Sequence, residues 1–287
     1  MSCSRGFTSF LALTCVMAAP QAAVTQAAPV PAWSYQARIT AVWAGGNTES
    51  STFGLGSSLR RAGQQVELKF EAGAIRTDAS VKSRRATGTA SSYLVTEDEV
   101  HQKTAENYFV RLRSDRKLGG RVVIFAGADW LRNTFAGIDS RMLLATGGGT
   151  SWVNREDFRV RTDLGATYTF QEDVVDNPFV KSKFPGLRFS ADLLRALTPT
   201  TKWESALIYD QNIDQTDDAR IDFTNSLSLA ISSRIALNPS LQLLWRNQPA
   251  LTEVDLFNSI GTPTGEKVQV PLEKMDSFFT LAVVVTL

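Results

Sequence analysis

Cysteine is almost missing from this chain. The two that occur, Cys3 and Cys15, lie within the first fifteen of 287 residues, so no disulfide can staple the remainder. Histidine is scarcer still: His101 stands alone, which excludes a zinc site built on paired histidines and leaves a Ser–His–carboxylate triad one place to start. Charge of one sign is also lacking. There are 30 Lys and Arg against 29 Asp and Glu, a balance that gives no long-range field for nucleic acid. Beyond the N-terminal segment no apolar run reaches the roughly 20 residues that a membrane helix needs.

The N-terminal segment reads as an export signal. Arg5 supplies the positive charge, Phe7 to Ala19 runs apolar, and small residues follow. Residues 1–23 are therefore expected to be a cleaved secretory signal peptide and 24–32 a disordered leader. Cys15 offers a lipidation alternative, but Ala12-Leu13-Thr14 before it is a poor lipoprotein context. Without Arg5 the 30 basic residues become 29, equal to the 29 acidic ones.

From residue 33 onward the hydrophobic pattern has period two, not 3.6, which is the signature of strands. Trp33, Tyr35, Ala37, Ile39, Ala41 and Trp43 share one face, while Ser34, Gln36, Arg38 and Thr40 share the other. Phe158 to Phe170, Ile221 to Ile231 and Phe279 to Leu287 alternate in the same way, with noisier versions between. Aromatic residues at the ends of an apolar face suit a strand crossing lipid. The expected girdle is Trp33, Trp43, Phe158, Phe170, Trp203, Tyr209 and Trp245.

Tight links are expected near Ala62-Gly63, Leu118-Gly119-Gly120, Asn154-Arg155-Glu156, Thr198-Pro199-Thr200 and Asn238-Pro239. Longer polar links fall between them: Asp78 to Gln102, Gln171 to Gly186, Gln211 to Arg220 and Pro249 to Lys274, with Lys82 to Ser92 as a mobile loop. The Gly45-Gly46-Asn47-Thr48 and Thr134-Phe135-Ala136-Gly137 links keep the same phase. Short turns alternating with long loops are the topology of outer-membrane barrels. Residues 33–287 are thus expected to form an all-β, transmembrane, antiparallel up-and-down barrel of about 12 strands, a number that bacterial single-chain barrels favour as even.

Several of these segments carry a family resemblance. A first strand leading into Gly46-Asn47-Thr48 and returning through Phe53-Gly54-Leu55 resembles the YdiY-type "salt-induced outer-membrane protein" family. So does Phe135-Ala136-Gly137-Ile138-Asp139-Ser140-Arg141 followed by Gly147-Gly148-Gly149. The resemblance implies an outer-membrane barrel in a Gram-negative envelope and brings no catalytic residues with it.

Chemistry has few footholds. His101 sits among Glu97, Asp98, Glu99 and Lys103 and is read as a solvated loop histidine, not a general base. Asp139 and Arg141 are expected to form an ion pair at a strand start, and Asn47 to occupy a hairpin tip. No cofactor, metal or nucleic-acid partner is expected; the partners expected are outer-membrane lipid and, during biogenesis, the barrel-assembly machinery. The alternating register puts charge inside: Arg38, Arg111, Arg113, Arg159, Arg161, Asp163, Asp192, Glu204 and Asp222 are expected to form a lumen network, with Arg161 facing Asp192. Balanced signs favour a filled interior over a one-sign pore. The expected function is a non-enzymatic barrel that is structural or passes small solutes slowly. The alternatives are a selective channel and, behind it, a barrel hydrolase.

Overall fold

The computed structural model describes residues 32–44, 48–89, 92–178, 180–257 and 263–286. Among these residues fourteen strands form. They are β1 (Ala32–Ala44), β2 (Thr48–Ala62), β3 (Val66–Thr89), β4 (Ser92–Gly119), β5 (Val122–Asn133), β6 (Ile138–Asn154) and β7 (Phe158–Asp173). Then follow β8 (Lys183–Ala196), β9 (Thr201–Asn212), β10 (Ala219–Ala230), β11 (Ile235–Arg246), β12 (Leu251–Phe257), β13 (Pro263–Pro271) and β14 (Met275–Thr286). Twelve of them close an antiparallel barrel in which β14 pairs with both β11 and β1, and β12 with β13 makes a separate two-stranded sheet. No helix among the described residues is long and apolar enough to cross a membrane, which says nothing about crossing with strands.

Cross-strand partners point to the same face, so the register sorts every strand. Ile39 opposes Leu55, Leu59 opposes Phe70, Phe70 opposes Leu112, and Val110 opposes Trp130. Leu164 opposes Phe189, Phe223 opposes Leu243, and Leu237 opposes Val283. This set is the outward face, and much of it lies open, with Leu164 63% and Phe279 74% exposed. Charged outward positions occur toward the strand ends: Arg61, Arg116 and Arg195 at one end, Arg76, Arg132 and Lys183 at the other. Between them runs an uncharged belt.

Trp33, Phe158 and Trp203 lie on the outward face toward the end that carries the short turns. Phe170, Tyr209 and Trp245 lie on it toward the end of the longer links. Trp130, Tyr168 and Trp152 join them. Trp152 breaks the simple alternation because the register slips between Ser151 and Val153; its Nε1 donates to Thr162 Oγ1 at 2.8 Å. The side chain of Trp43 lies outside the described residues, as do residues 1–31, Gly45–Asn47 and Leu287.

Two expected links are corrected. Asn238-Pro239 lies inside β11, and the β10–β11 turn falls at residues 231–234. There the Ser232 hydroxyl accepts from the backbone N–H of Arg234 at 3.3 Å and of Ile235 at 3.1 Å, a serine turn that needs neither Gly nor Pro. Pro239 has no N–H to offer Leu227 across the strand pair; Asn238 Nδ2 donates to the Leu227 carbonyl at 3.0 Å in its place. Second, the expected Asp78–Gln102 loop, with its mobile Lys82–Ser92 segment, is a continued β3–β4 ribbon. Its register sets Lys82 opposite Glu99 and Arg84 opposite Glu97. His101 therefore stands in β4 opposite Ser80, with its side chain outside the described residues. The expected longer link from Pro249 to Lys274 stands between β11 and β14 and carries a hairpin of its own, β12 with β13.

Candidate functional site

The inward face carries two tiers of charge. Toward the turn end, β4 presents Arg113 and Asp115, and β7 presents Arg161 and Asp163. Each strand thus shows an Arg-x-Asp triplet whose charged members share the inner face. The order β7-β6-β5-β4 makes β4 and β7 antiparallel, so the triplets meet head to tail. Arg113 Nη2 donates to Asp163 Oδ2 at 2.6 Å and Arg161 Nη2 to Asp115 Oδ1 at 2.5 Å. Within each strand, Arg113 Nη2 reaches Asp115 Oδ1 at 3.0 Å and Arg161 Nε reaches Asp163 Oδ1 at 2.8 Å. Four charges therefore close a reciprocal ring over the two intervening strands.

Room for that ring comes from glycine. Gly147 and Gly149 face inward on β6, and a Cβ at Gly149 would collide with the Asp163 carboxylate. Gly165 leaves space for the ring of Phe125, over which the Arg113 guanidinium stacks at 4.2 Å. The Gly147-Gly148-Gly149 motif thus has a packing cause at its first and last positions, while Gly148 faces outward.

The second tier lies toward the loop end. Arg188 of β8 donates to Asp210 of β9 at 2.7 Å and, over two strands, to Asp129 of β5 at 3.0 Å. Arg220 Nη2 donates to Asp218 at 2.6 Å and its guanidinium lies 5.0 Å from the Phe184 ring. Arg246 approaches Asp173 at 3.5 Å and Asp218 at 3.9 Å. Arg141 lines the same cavity as Arg220, Arg246 and Asp210. A cavity of about 300 Å³ opens between this tier and a wall of small side chains including Thr40, Gly54, Gly56, Ser240 and Thr280. The segments flanking the β12–β13 hairpin line it too, through Pro249, Ala250 and Leu272. They dock where the β5–β6 link turns: Gly137 has φ +69°, and a Cβ there would meet Ala250 and Leu272.

Of the expected network, Arg113, Arg161 and Asp163 are brought together. Asp192 on β8 is the backbone partner of Arg161, but the Arg161 side chain turns the other way, to Asp163 of its own strand and Asp115 of β4, so the expected Arg161–Asp192 pair is corrected. Asp222 instead accepts from Gln242 Nε2 at 2.9 Å. Arg111 stacks over Phe109 at 5.0 Å, Arg38 lines the cavity, and Arg159 and Glu204 face inward near the turn end without joining the ring. Asp139 pairs with Arg132 at 2.5 Å, not with Arg141. Asp115, Arg141, Arg220, Asp218 and Asp173 were not expected. Asp115 had a signal: Arg113-Ser114-Asp115 and Arg161-Thr162-Asp163 are the same polar triplet, each preceded by Arg and an apolar residue.

Residues 37–257 match the family described as "Protein of unknown function, DUF481". No curated protein matches the chain. Among solved structures the chain is similar to a KdgM porin in complex with disordered oligogalacturonate, at 9% identity and TM-score 0.42, covering 88% of this chain and 98% of that one. It is similar also to an outer-membrane channel from Pseudomonas putida F1, at 14% identity and TM-score 0.42, covering 93% and 99%. A third is an anion-selective porin from Comamonas acidovorans, at 7% identity and TM-score 0.39, covering 90% and 100%. The family match runs from the first strand of the barrel into β12, and the chain belongs to the DUF481 family, the YdiY-type group that its motifs resemble.

Proposed function

We propose that the protein is a non-enzymatic outer-membrane barrel of a Gram-negative envelope, exported through a signal at residues 1–23, that is structural or passes small solutes slowly. One observation carries the reading: a closed barrel whose outward face is an uncharged, largely apolar belt with aromatic rings toward both ends. In water such a surface is a liability, since exposed apolar patches beyond a few hundred Å² drive association; in lipid it is the stable arrangement. Lipid is then its permanent partner and the barrel-assembly machinery its partner during insertion. Slow passage follows from the interior, where the turn-end ring spends its charges on one another. Salt-responsive expression belongs to the same reading and is checked by transcript level after an osmotic shift.

A second reading, a selective channel, is favoured by the cavity along the small-residue wall. Planar-bilayer recording of the refolded protein separates the two. Conductance near the detection limit supports the slow barrel, whereas large, ion-selective steps replace it with the channel. A barrel hydrolase is tested in parallel with phospholipid and peptide substrates, and turnover of either by the purified protein overturns the non-enzymatic reading.

A further inference from the structure

We propose that the loop-end cavity is a binding site for a small oxyanion, a carboxylate or phosphate group held by Arg141, Arg220 and Arg246. The three guanidiniums converge from β6, β10 and β11 on one side of the cavity. Arg220 is only 8% exposed, yet its Nε has no hydrogen-bond partner; the same holds for Nε and Nη1 of Arg246. Asp218 takes Nη2 of Arg220, and Asp173 and Asp218 approach Arg246 at 3.5 and 3.9 Å, yet these carboxylates leave the three named nitrogens without a hydrogen bond. Arg141 has no carboxylate within ion-pair distance among the described residues. A planar fork of donors matches two oxygens of one oxyanion, and buried donors left unmade are costly.

Charge around the cavity points the same way. Its lining holds six Lys and Arg against four Asp and Glu. Two of those four are engaged: Asp210 by Arg188 and Asp222 by Gln242. A metal cation would have to sit among guanidiniums, whereas an oxyanion completes them. The Pro249–Ala250 and Leu272–Lys274 segments line the cavity with this tier, and a ligand of a few heavy atoms fits where a polymer chain does not fit wholly inside about 300 Å³. The inference takes its setting from the barrel reading. Binding is measured in micelles without a bilayer, however, so absent conductance leaves it standing and absent binding leaves the envelope reading standing.

The test is calorimetric titration of the full chain, folded in detergent, with sodium phosphate and separately with sodium succinate at constant ionic strength. Saturable binding of at least one is expected, and which one binds assigns the ligand as phosphate-bearing or as an organic acid. Arg141→Gln is the first variant because it strands no carboxylate; it is expected to weaken binding tenfold or more. Arg155→Gln, in an exposed turn at the opposite end, is expected to leave binding within twofold. Should Arg141→Gln fail to fold, the urea midpoint of the unmodified protein decides: a rise with the anion over chloride at equal ionic strength supports the site. No saturable binding to the unmodified protein, no such midpoint rise, or unchanged binding in a folded Arg141→Gln protein overturns it.

Discussion

Asp163 carries a heavy electrostatic demand at the turn end of the interior. Its side chain is 2% exposed and stands between Arg113 at 2.6 Å and Arg161 at 2.8 Å, with the Gly149 backbone beneath it. A buried carboxylate survives as an anion only when its partners are in place. Arg161→Ala removes one partner from Asp163 and the cross-lumen partner from Asp115, and is expected to cost about 3 kcal/mol. Urea unfolding of the protein in micelles measures it, and a loss below the scatter of surface substitutions would mean that lumen water replaces the guanidinium. The glycines give a sharper contrast. Gly149→Ala drives a methyl into the Asp163 carboxylate, whereas a Cβ at Gly148 meets nothing closer than the Val123 carbonyl at 3.7 Å. The first is expected to destabilise by about 1–3 kcal/mol and the second to be near neutral; the reverse order would place the wrong glycine under the ring.

Each strand turns a two-residue period into two environments, and substitutions should read that directly. Leu164 sits midway along β7 on the outward face, opposite Phe189, and Leu164→Arg is expected to cost about 2–4 kcal/mol in lipid. Ser228 faces inward on β10, and Ser228→Arg is expected to cost much less. Leu229 is a poor second probe of mid-membrane, since it lies one residue from the end of β10. Thr167 is a poor inward control, since it is buried against Gly186. Equal losses for Leu164→Arg and Ser228→Arg in a lipid refolding titration would sink the facing. Strand β11 offers a second test. Asn238→Ala removes the donor that serves the Leu227 carbonyl and is expected to cost about 1 kcal/mol. Adding Pro239→Ala returns a backbone N–H at that place and is expected to recover most of it. The same residues show what the sequence hides: Asn-Pro reads as a turn, and only the strand opposite reveals that Asn238 repairs what Pro239 removes. The β3–β4 ribbon is hidden similarly, because Lys82 to Ser92 read as a mobile loop until the register sets Lys82 against Glu99 and Arg84 against Glu97.

Closure joins residues that no local pattern relates. The facing of Arg113, Arg161 and Asp163 is legible from alternation alone, since period two decides inside from outside one strand at a time. Their partners are not, because β4 and β7 are separated by two strands and alternation carries no information about what meets across a lumen. Adjacent-strand reasoning selects Asp192 for Arg161; the barrel selects Asp115. The loop-end cluster is hidden for the same reason, being assembled from β5, β6, β7, β8, β9, β10 and β11 together with Asp218 in a link. The reciprocal ring nevertheless makes a demand on the whole molecule that can be tested by exchange. Arg113→Asp with Asp115→Arg keeps composition, net charge and the pairing within β4, but sets like charges against β7. This variant is expected to lose about 3–5 kcal/mol. Arg161→Asp with Asp163→Arg should do the same from the other side. Combining all four changes restores opposite charges across the lumen, and stability is expected to recover by at least half, though not fully. The remainder stays lost because Arg113 also stacks on Phe125, and because only a side chain as short as Asp fits above Gly149. Urea midpoints and the folded band on unheated gels report the four proteins side by side. If the fourfold variant is no more stable than either exchange alone, the two strands do not meet across the interior, and the charge ring is not what ties β4 to β7.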